Sequence, residues 1–351
     1  MARNHKPEEI VAKLREAGLV LSQGGTVREA CLRIGVTEQT YHRWRRKYGD
    51  PQISDADRLL ALQQENARLH QTVSDLTRDR QALRRRSNTL IFVGGAPRTG
   101  TTLLQGLICT SPRTNDYIAE CSYLTAFMEP YRRALDAWEA HTHDYFDGVE
   151  DMCGLHADVL RQVLSRFRRF LGSGEALVLK DPCLTASFYT LAYLLPEARF
   201  AVMIRDPLDA VSSRLEVMEK STSVKPGPAD IEYACAEYNG AYAELIQHWR
   251  HLGDRLILLS YNALVAGEEF DRLAAFGFDD LYPDQLTQST WVNSKVEGNP
   301  WNTDLYGGQL SAASVGRHQA FVEPETAKII NDSCGETARA LFAIAADPLS
   351  P

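Results

Sequence analysis

The chain has 351 residues, of which 44% are hydrophobic and 24% are charged. This length allows two or three domains, and this composition excludes wholesale disorder. The charge is uneven, because residues 1–88 hold 17 Lys and Arg against 11 Asp and Glu, a net of +6, whereas residues 89–351 carry a net of −14. A basic head before an acidic body predicts two parts with different partners.

Membrane insertion and secretion are not indicated by the sequence. No uncharged apolar run approaches the ~18 residues that a membrane span needs. The first ten residues lack the apolar segment of a signal peptide. The seven cysteines are odd in number, and no two have CxxC spacing. We therefore expect a cytoplasmic protein with free thiols and no transmembrane segment.

The basic head predicts three short helices within residues 1–50. Thr26 should cap the second helix, with Glu29 completing a capping box, and Gly35 should end it. Thr37 then opens a third helix, which is aromatic and basic. A short helix, a glycine-containing turn and a basic helix together predict a helix-turn-helix. The alternative is a small helical bundle whose basic face is merely solvated.

A leucine repeat follows the three helices. Leu62, Leu69, Leu76 and Leu83 recur every seven residues, and Asn66 occupies the partner position of the heptad. This spacing predicts a coiled coil over residues 54–86, and an Asn in the seam favours two strands. We therefore expect a homodimer through this zipper. The alternative is a single amphipathic helix that packs on the body.

Residues 5–86 resemble the N-terminal helix-turn-helix and leucine zipper of insertion-sequence transposases. No catalytic transposase core follows them, so the resemblance implies a module that binds DNA and dimerises, without DNA strand transfer. Two such modules would bring Trp44, Arg45 and Arg46 near the groove or the backbone of DNA. Because the body is acidic, we expect at most weak DNA binding by the full chain.

The body begins with the stretch TLIFVGGAPRTGTTLLQGLI. Residues 89–93 form a short apolar strand, Gly94 to Gly100 form a tight loop, and a helix starts at Thr101. A strand, a glycine loop and a helix N-terminus make a cradle for an anion. The plainer interpretation is an ordinary glycine-rich turn. A triphosphate loop would have Lys in place of Thr101, which disfavours a nucleotide kinase.

The segment APRTGTTLL resembles the 5′-phosphosulfate loop of sulfotransferases, which use 3′-phosphoadenosine-5′-phosphosulfate (PAPS). The segment RFAVMIRDPLDAVSSRLEV, at 199–217, resembles the 3′-phosphate element of that family, and SVGRHQAF, at 314–321, resembles its late loop over the adenosine. The resemblance spans about residues 90–345. The PAPS-binding residues that it implies are Pro97, Arg98, Thr99, Gly100, Thr101, Thr102, Arg205, Ser213, Gly316 and Arg317.

Sulfuryl transfer needs a base for the acceptor's proton and cations for the departing oxygen. The resemblance implies that Arg98 and Lys180 are the cations, and no metal is required. In the bacterial-type branch the base is usually a Glu shortly after the first helix, where Glu120 lies. The alternative is a histidine, as in the eukaryotic cytosolic enzymes: His141, His143 or His156.

We therefore expect the body, residues 88–351, to be a P-loop three-layer α/β sandwich with a mostly parallel sheet. Its strands should fall near 89–94, 116–119, 176–180, 199–205 and 255–261. The expected function is transfer of a sulfuryl group from PAPS to a hydroxyl or amine of a small-molecule, carbohydrate, lipid or peptide acceptor. The alternative is a DNA-associated protein with an inactive, nucleotide-binding body.

Overall fold

The computed structural model describes residues 5–49, 65–73, 89–172, 174–288, 299–301, 305, 308–320 and 322–347. The chain divides into two compact units, Met1–Ala82 and Leu83–Pro351. The first unit is helical, and the second is built on a parallel β-sheet. In these described ranges, no helix combines the length and the apolar character needed to cross a membrane.

The first unit contains the three predicted helices, α1 (Pro7–Ser22), α2 (Val27–Ile34) and α3 (Glu38–Tyr48). The predicted capping box is present at the start of α2. The backbone N–H of Glu29 donates to Thr26 Oγ1 at 3.3 Å, and the N–H of Thr26 donates to Glu29 Oε2 at 2.8 Å. These caps satisfy N–H groups that have no partner within the helix, so they determine where α2 begins.

Trp44 does not face outward as the DNA-contact prediction required. Its side chain is buried in the core of the first unit, and its ring lies edge-on to His5 with the ring centroids 5.3 Å apart. Tyr41, one turn earlier on α3, is buried in the same core. The prediction was wrong because these two aromatic residues form the apolar stripe by which α3 packs on α1 and α2.

The leucine repeat lies mostly outside the described residues. Residues 65–73 are helical (α4), and within them Asn66, Leu69 and Val73 are exposed. Leu62, Leu76 and Leu83 fall outside the described ranges. The dimeric zipper therefore stays a prediction.

The second unit contains a sheet of four parallel strands, β1 (Thr89–Gly94), β2 (Ala176–Lys180), β3 (Ala198–Ile204) and β4 (Leu256–Ser260). Their order is β2-β1-β3-β4. The strands are almost entirely buried apolar runs, as expected for a sheet covered on both faces. Because all four run the same way, the residues that follow them meet at one edge, where the chain order reverses beside β1.

Helices cover both faces of the sheet. Alternate strand residues belong to different apolar clusters, with Phe92 in one cluster and Val93 in the other. This arrangement confirms the predicted three-layer α/β fold with a parallel sheet. The helices are α5 (Thr101–Ile108), α6 (Ser122–Asp136), α7 (Val149–Leu171), α8 (Phe188–Leu194), α9 (Pro207–Thr222), α10 (Pro228–Leu252), α11 (Tyr261–Ala266), α12 (Phe270–Ala275) and α13 (Pro324–Ala345).

Residues 116–119 do not form the predicted strand. The segment runs beside β2, but it forms a single β-bridge with it, between Thr114 and Ala176, and beyond residue 119 the N–H of Cys121 donates to the Lys180 carbonyl at 2.9 Å. The Asn115 side chain takes the place of a backbone ladder: its Oδ1 accepts from the N–H of Val178 at 2.7 Å, and its Nδ2 donates to the Val178 carbonyl at 3.2 Å. The strand prediction failed because a side chain satisfies the edge of β2.

Candidate active site

The loop between β1 and α5 is packed so tightly that two of its positions require glycine. Gly95 has φ +140°, and a Cβ there would lie 2.5 Å from the Met203 carbonyl oxygen. Gly100 has φ +99°, and a Cβ there would lie 2.5 Å from the ring of Tyr261. These glycines let the loop pass between the end of β3 and α11, which brings the N-terminus of α5 to the edge of the sheet.

Buried hydroxyl groups form hydrogen bonds with the backbone of the loop between β1 and α5. Tyr242 Oη accepts from the N–H of Ala96 at 2.9 Å and donates to the Met203 carbonyl at 2.7 Å. Burial raises the pKa of Tyr242, so this hydroxyl stays protonated and able to donate. Thr99 Oγ1 donates to the Ala96 carbonyl at 2.7 Å, so this predicted PAPS-binding side chain is turned into the loop.

A cavity of about 490 Å³ opens at this edge of the sheet. Its walls come from the loop, the start of α5, the segment before α6, the ends of β2 and β3, and α9. Thr99 and Gly316 do not line it. The predicted site residues that do line it are Pro97, Arg98, Gly100, Thr101, Thr102, Glu120, Lys180, Arg205, Ser213 and Arg317.

Two guanidinium groups concentrate positive charge in the cavity. Arg98, whose backbone has φ +72°, donates from Nε to Ser213 Oγ at 3.1 Å. Arg205 follows β3 and donates to the Arg98 carbonyl at 3.1 Å. Burial, together with the charge of Arg205, lowers the pKa of Arg98 to about 10. Burial also lowers the pKa of Arg205.

Arg205 retains a donor that the described part of the chain leaves unused. Its Nε is buried, and no hydrogen-bond partner for it exists among the described residues. A buried N–H without a partner is costly, and the half-buried cation of Arg98 nearby adds repulsion. An anion in the cavity would relieve both costs, because oxyanions accept charge-assisted hydrogen bonds from guanidinium groups.

A carboxylate and an ammonium group form an ion pair in another wall of the cavity. Lys180, the last residue of β2, has a side chain that is 2% exposed, and its Nζ donates to Glu120 Oε1 at 3.0 Å. The Glu120 side chain is 50% exposed. The structure thus brings together a reachable carboxylate and a buried cation, which are the groups that proton transfer and anion stabilisation require.

The histidines considered as alternatives lie elsewhere. His141 and His143 are exposed after α6, and His143 Nδ1 lies 2.8 Å from the Trp138 carbonyl. His156, on α7, lies edge-on to Tyr131, and burial lowers its pKa. None of the three is among the described residues that line the cavity. Across the described ranges, no group of three or more His, Cys, Asp or Glu is placed to hold a metal ion.

Trp301 is a cavity residue that sequence reasoning missed. Its carbonyl oxygen accepts from Arg98 Nη1 at 2.8 Å. Its ring lies beneath the guanidinium of Arg214, 4.9 Å from the ring centroid, and Arg214 in turn donates to Glu237 at 2.7 Å. No motif surrounds Trp301, so nothing in the sequence linked it to Arg98.

Tyr261 is a second cavity residue, and the sequence did contain a signal for it. It follows β4 in the segment LILLSYNALV, so it lies at the same edge as the residues after β1 and β3. Its ring packs 4.4 Å from the guanidinium of Arg205, a cation–π contact. The position of Tyr261 at this edge of the sheet therefore follows from its place directly after a parallel strand.

Two parts of the chain match different family models. Residues 91–270 match the model described as "Sulfotransferase family", and residues 5–74 match the model described as "Transposase". The N-terminal part is 39% identical over 77 residues to "Insertion element ISR1 uncharacterized 10 kDa protein A3" of Rhizobium sp. That alignment covers 22% of this chain and 83% of the Rhizobium protein.

The body is similar to longer proteins and to solved domains. It is 24% identical over 181 residues to "Protein-tyrosine sulfotransferase A" of Caenorhabditis elegans, which covers 50% of this chain and 45% of that protein. The chain thus spans about half the length of this curated relative. The structure of "Sulfotransferase Domain from the Curacin Biosynthetic Pathway" aligns with a TM-score of 0.45 and 14% identity, over 71% of this chain and 98% of that one.

Proposed function

Because this chain belongs to the sulfotransferase family and carries a transposase-type N-terminal segment, we propose that its body transfers a sulfuryl group from PAPS to a hydroxyl or amine acceptor. The observation that carries this proposal is a pair of guanidinium groups, the buried one of Arg205 and the half-buried one of Arg98, in a cavity at the N-terminus of α5. When bound, PAPS supplies an activated sulfuryl group on a phosphate that is a good leaving group.

The cavity residues fit such a donor chemically. The backbone N–H groups of Gly100, Thr101 and Thr102 begin α5 and suit the 5′-phosphosulfate, since a helix N-terminus attracts anions. Arg205, with its unused Nε, and Ser213 suit the 3′-phosphate, because a guanidinium and a hydroxyl both donate to a dianion. Among the described cavity residues, this excess of donors supports an anionic ligand.

The catalytic roles are assigned from the ion pair between Glu120 and Lys180 in the wall of the cavity. Glu120 accepts the proton of the acceptor hydroxyl as the acceptor oxygen bonds to sulfur. Lys180 and Arg98 stabilise the negative charge that develops on the oxygen that leaves sulfur. The pairing of Lys180 with Glu120 supports these assignments, because it places the carboxylate and the buried cation side by side in the cavity.

The head, residues 1–50, is proposed to contact DNA weakly through exposed basic side chains of α3, such as Arg43 and Arg46. Residues 54–86 are proposed to dimerise it, and residues 88–351 to act as the sulfotransferase domain. The second candidate function is a DNA-associated protein with an inactive, nucleotide-sensing body. The helix-turn-helix favours that candidate, whereas the basic and acidic groups brought together in the cavity favour an enzyme.

A transfer assay distinguishes the two functions. The full chain is incubated with PAPS carrying labelled sulfur and with a panel that contains a phenol, a sugar, a sterol, an aliphatic amine and a tyrosine peptide. We expect labelled product from at least one acceptor, with release of adenosine 3′,5′-bisphosphate. Tight binding of PAPS without transfer to any member of the panel would favour the nucleotide-sensing body.

A further inference from the structure

Asp209 is a buried carboxylate in the wall of the cavity, and the proposed reaction does not use it. It lies on α9, one turn after Arg205, and its side chain is 2% exposed. Its Oδ2 accepts from the backbone N–H of Gly316 at 2.8 Å, and its Oδ1 accepts from the N–H of His318 at 3.3 Å. Oδ1 also lies 2.7 Å from His318 Nδ1. One carboxylate thus holds the turn around residue 317.

The same turn is held on its other side by the nucleotide-binding arginine. The guanidinium of Arg205 donates to the carbonyl of Ser314, and Ser314 Oγ lies 2.7 Å from Tyr261 Oη. Arg205 precedes α9 and Asp209 lies in its first turn, and Arg205 Nη2 lies 3.8 Å from Asp209 Oδ2. The turn is therefore held on both sides by residues at the junction of β3 and α9, where the proposed 3′-phosphate site lies.

Arg317 lies between the two residues that Asp209 holds. Its guanidinium lines the cavity and contacts Glu216 at 3.4 Å. A long, flexible side chain reaches a bound phosphate with a defined geometry only if its backbone is fixed. The contacts of Asp209 with Gly316 and His318 supply that fixation.

The contacts of Asp209 require a charged carboxylate. Burial opposes ionisation, but the hydrogen bonds from His318 and Gly316 outweigh it and keep the pKa of Asp209 below its usual value. An amide of the same shape has one acceptor oxygen in place of two. Asparagine at 209 would therefore turn an NH₂ group toward at least one of the N–H donors of Gly316 and His318, and that donor would lose its partner.

We propose that Asp209 is a positioning residue that fixes the turn carrying Arg317 and thereby sets the preference for nucleotides with a 3′-phosphate. This inference rests on the proposed function, because it concerns the same donor site. Asp209 acts through the turn, because both of its carboxylate oxygens are engaged by Gly316 and His318. Its effect is therefore expected on selectivity among nucleotides.

Calorimetry of the full chain with adenosine 3′,5′-bisphosphate and with adenosine 5′-monophosphate measures that selectivity. We expect Asp209→Asn to lower the ratio of the two affinities by about 10- to 100-fold, the range for a lost charge-assisted contact. His318→Leu should lower it as well, whereas His318→Asn, which keeps a donor near the position of Nδ1, should retain most of it.

Glu269→Gln is the matched control. Glu269 is also a buried carboxylate that holds a backbone N–H, that of Ser260 at 2.7 Å, and it pairs with Arg272 at 2.9 Å. It does not line the cavity. We expect this variant to lose stability in thermal melting while its ratio of nucleotide affinities stays unchanged.

Hydrogen exchange of the nucleotide-free chain gives a second measurement. Asp209→Asn should speed exchange of the amides of Gly316 and His318, and Glu269→Gln should not. If Asp209→Asn weakens both nucleotides by the same factor, or leaves these amides protected, Asp209 is only structural and the inference fails. If the unmodified chain shows no preference for a 3′-phosphate, the proposed function fails instead, and this inference fails with it.

Discussion

The ion pair between Lys180 and Glu120 combines a buried cation with a half-exposed carboxylate in one wall of the cavity. We expect Glu120→Gln to lower kcat by about 10²–10⁴-fold, because the amide keeps an oxygen for Lys180 but cannot accept a proton. Binding of adenosine 3′,5′-bisphosphate should stay within a fewfold of the unmodified value. Steady-state kinetics and calorimetry measure the two effects.

Glu129→Gln is the control for this variant, because Glu129 pairs with Arg133 on the surface of α6, away from the cavity. It should leave kcat unchanged. Full activity of Glu120→Gln, combined with loss of activity on changing His141, His143 or His156, would show that the base has been assigned to the wrong residue.

Trp301 is expected to hold Arg98 in place through its backbone carbonyl. Its ring is anchored under Arg214, a cation–π contact worth about 0.5–2 kcal/mol. We therefore expect Trp301→Ala to raise the KM for PAPS by roughly 2- to 30-fold. Trp301→Phe keeps an aromatic face and should raise it less. Equal KM values for Trp301→Ala and the unmodified chain would show that the ring does not matter.

At the residue scale, what the sequence revealed depended on distance along the chain. The glycines of the loop, Arg98 and Ser213 lie in contiguous motifs, so they were predictable. Trp301 contacts Arg98 across about two hundred positions, and Asp209 contacts His318 across about one hundred. Such contacts arise only when the loops fold over the edge of the sheet, and no local pattern encodes them.

At the element scale, the predicted boundaries were accurate where capping chemistry fixed them. Thr26 and Gly35 bound α2 as expected, since a side-chain cap and a left-handed glycine act locally. The strand expected at 116–119 was wrong because Asn115 satisfies the edge of β2 with its side chain. The prediction that Trp44 contacts DNA was wrong because the small helical unit uses this aromatic side chain to build its own core.

The leucine repeat allows a direct test of the zipper. We expect the segment 1–88 to be a dimer at tens of micromolar, since Leu69 and Val73 expose an apolar stripe on α4 at heptad spacing. Sedimentation of this segment measures its oligomeric state. Leu69→Lys should give a monomer, whereas Gln71→Lys, outside the seam, should remain dimeric. A monomeric unmodified segment would refute the zipper.

In the full chain, the negative charge of the body should oppose DNA binding by the basic head. The head carries a net of +6 and the body a net of −14. We expect the segment 1–88 to bind double-stranded DNA with an affinity that falls steeply with salt, and the full chain to bind more weakly at the same salt. Fluorescence anisotropy at two salt concentrations measures both. Tighter binding by the full chain would show that the body contributes to a DNA site.

Affinity for a 3′-phosphorylated nucleotide is the sharpest test of the proposed PAPS site. Calorimetry of the full chain compares adenosine 3′,5′-bisphosphate with ATP, because the proposed site has a partner for a 3′-phosphate and lacks the loop lysine typical of a triphosphate site. We predict a preference for the bisphosphate of at least about tenfold, and a loss of roughly 2–4 kcal/mol in its binding on Arg205→Ala. Equal affinity for the two nucleotides would show that the cavity does not recognise a 3′-phosphate.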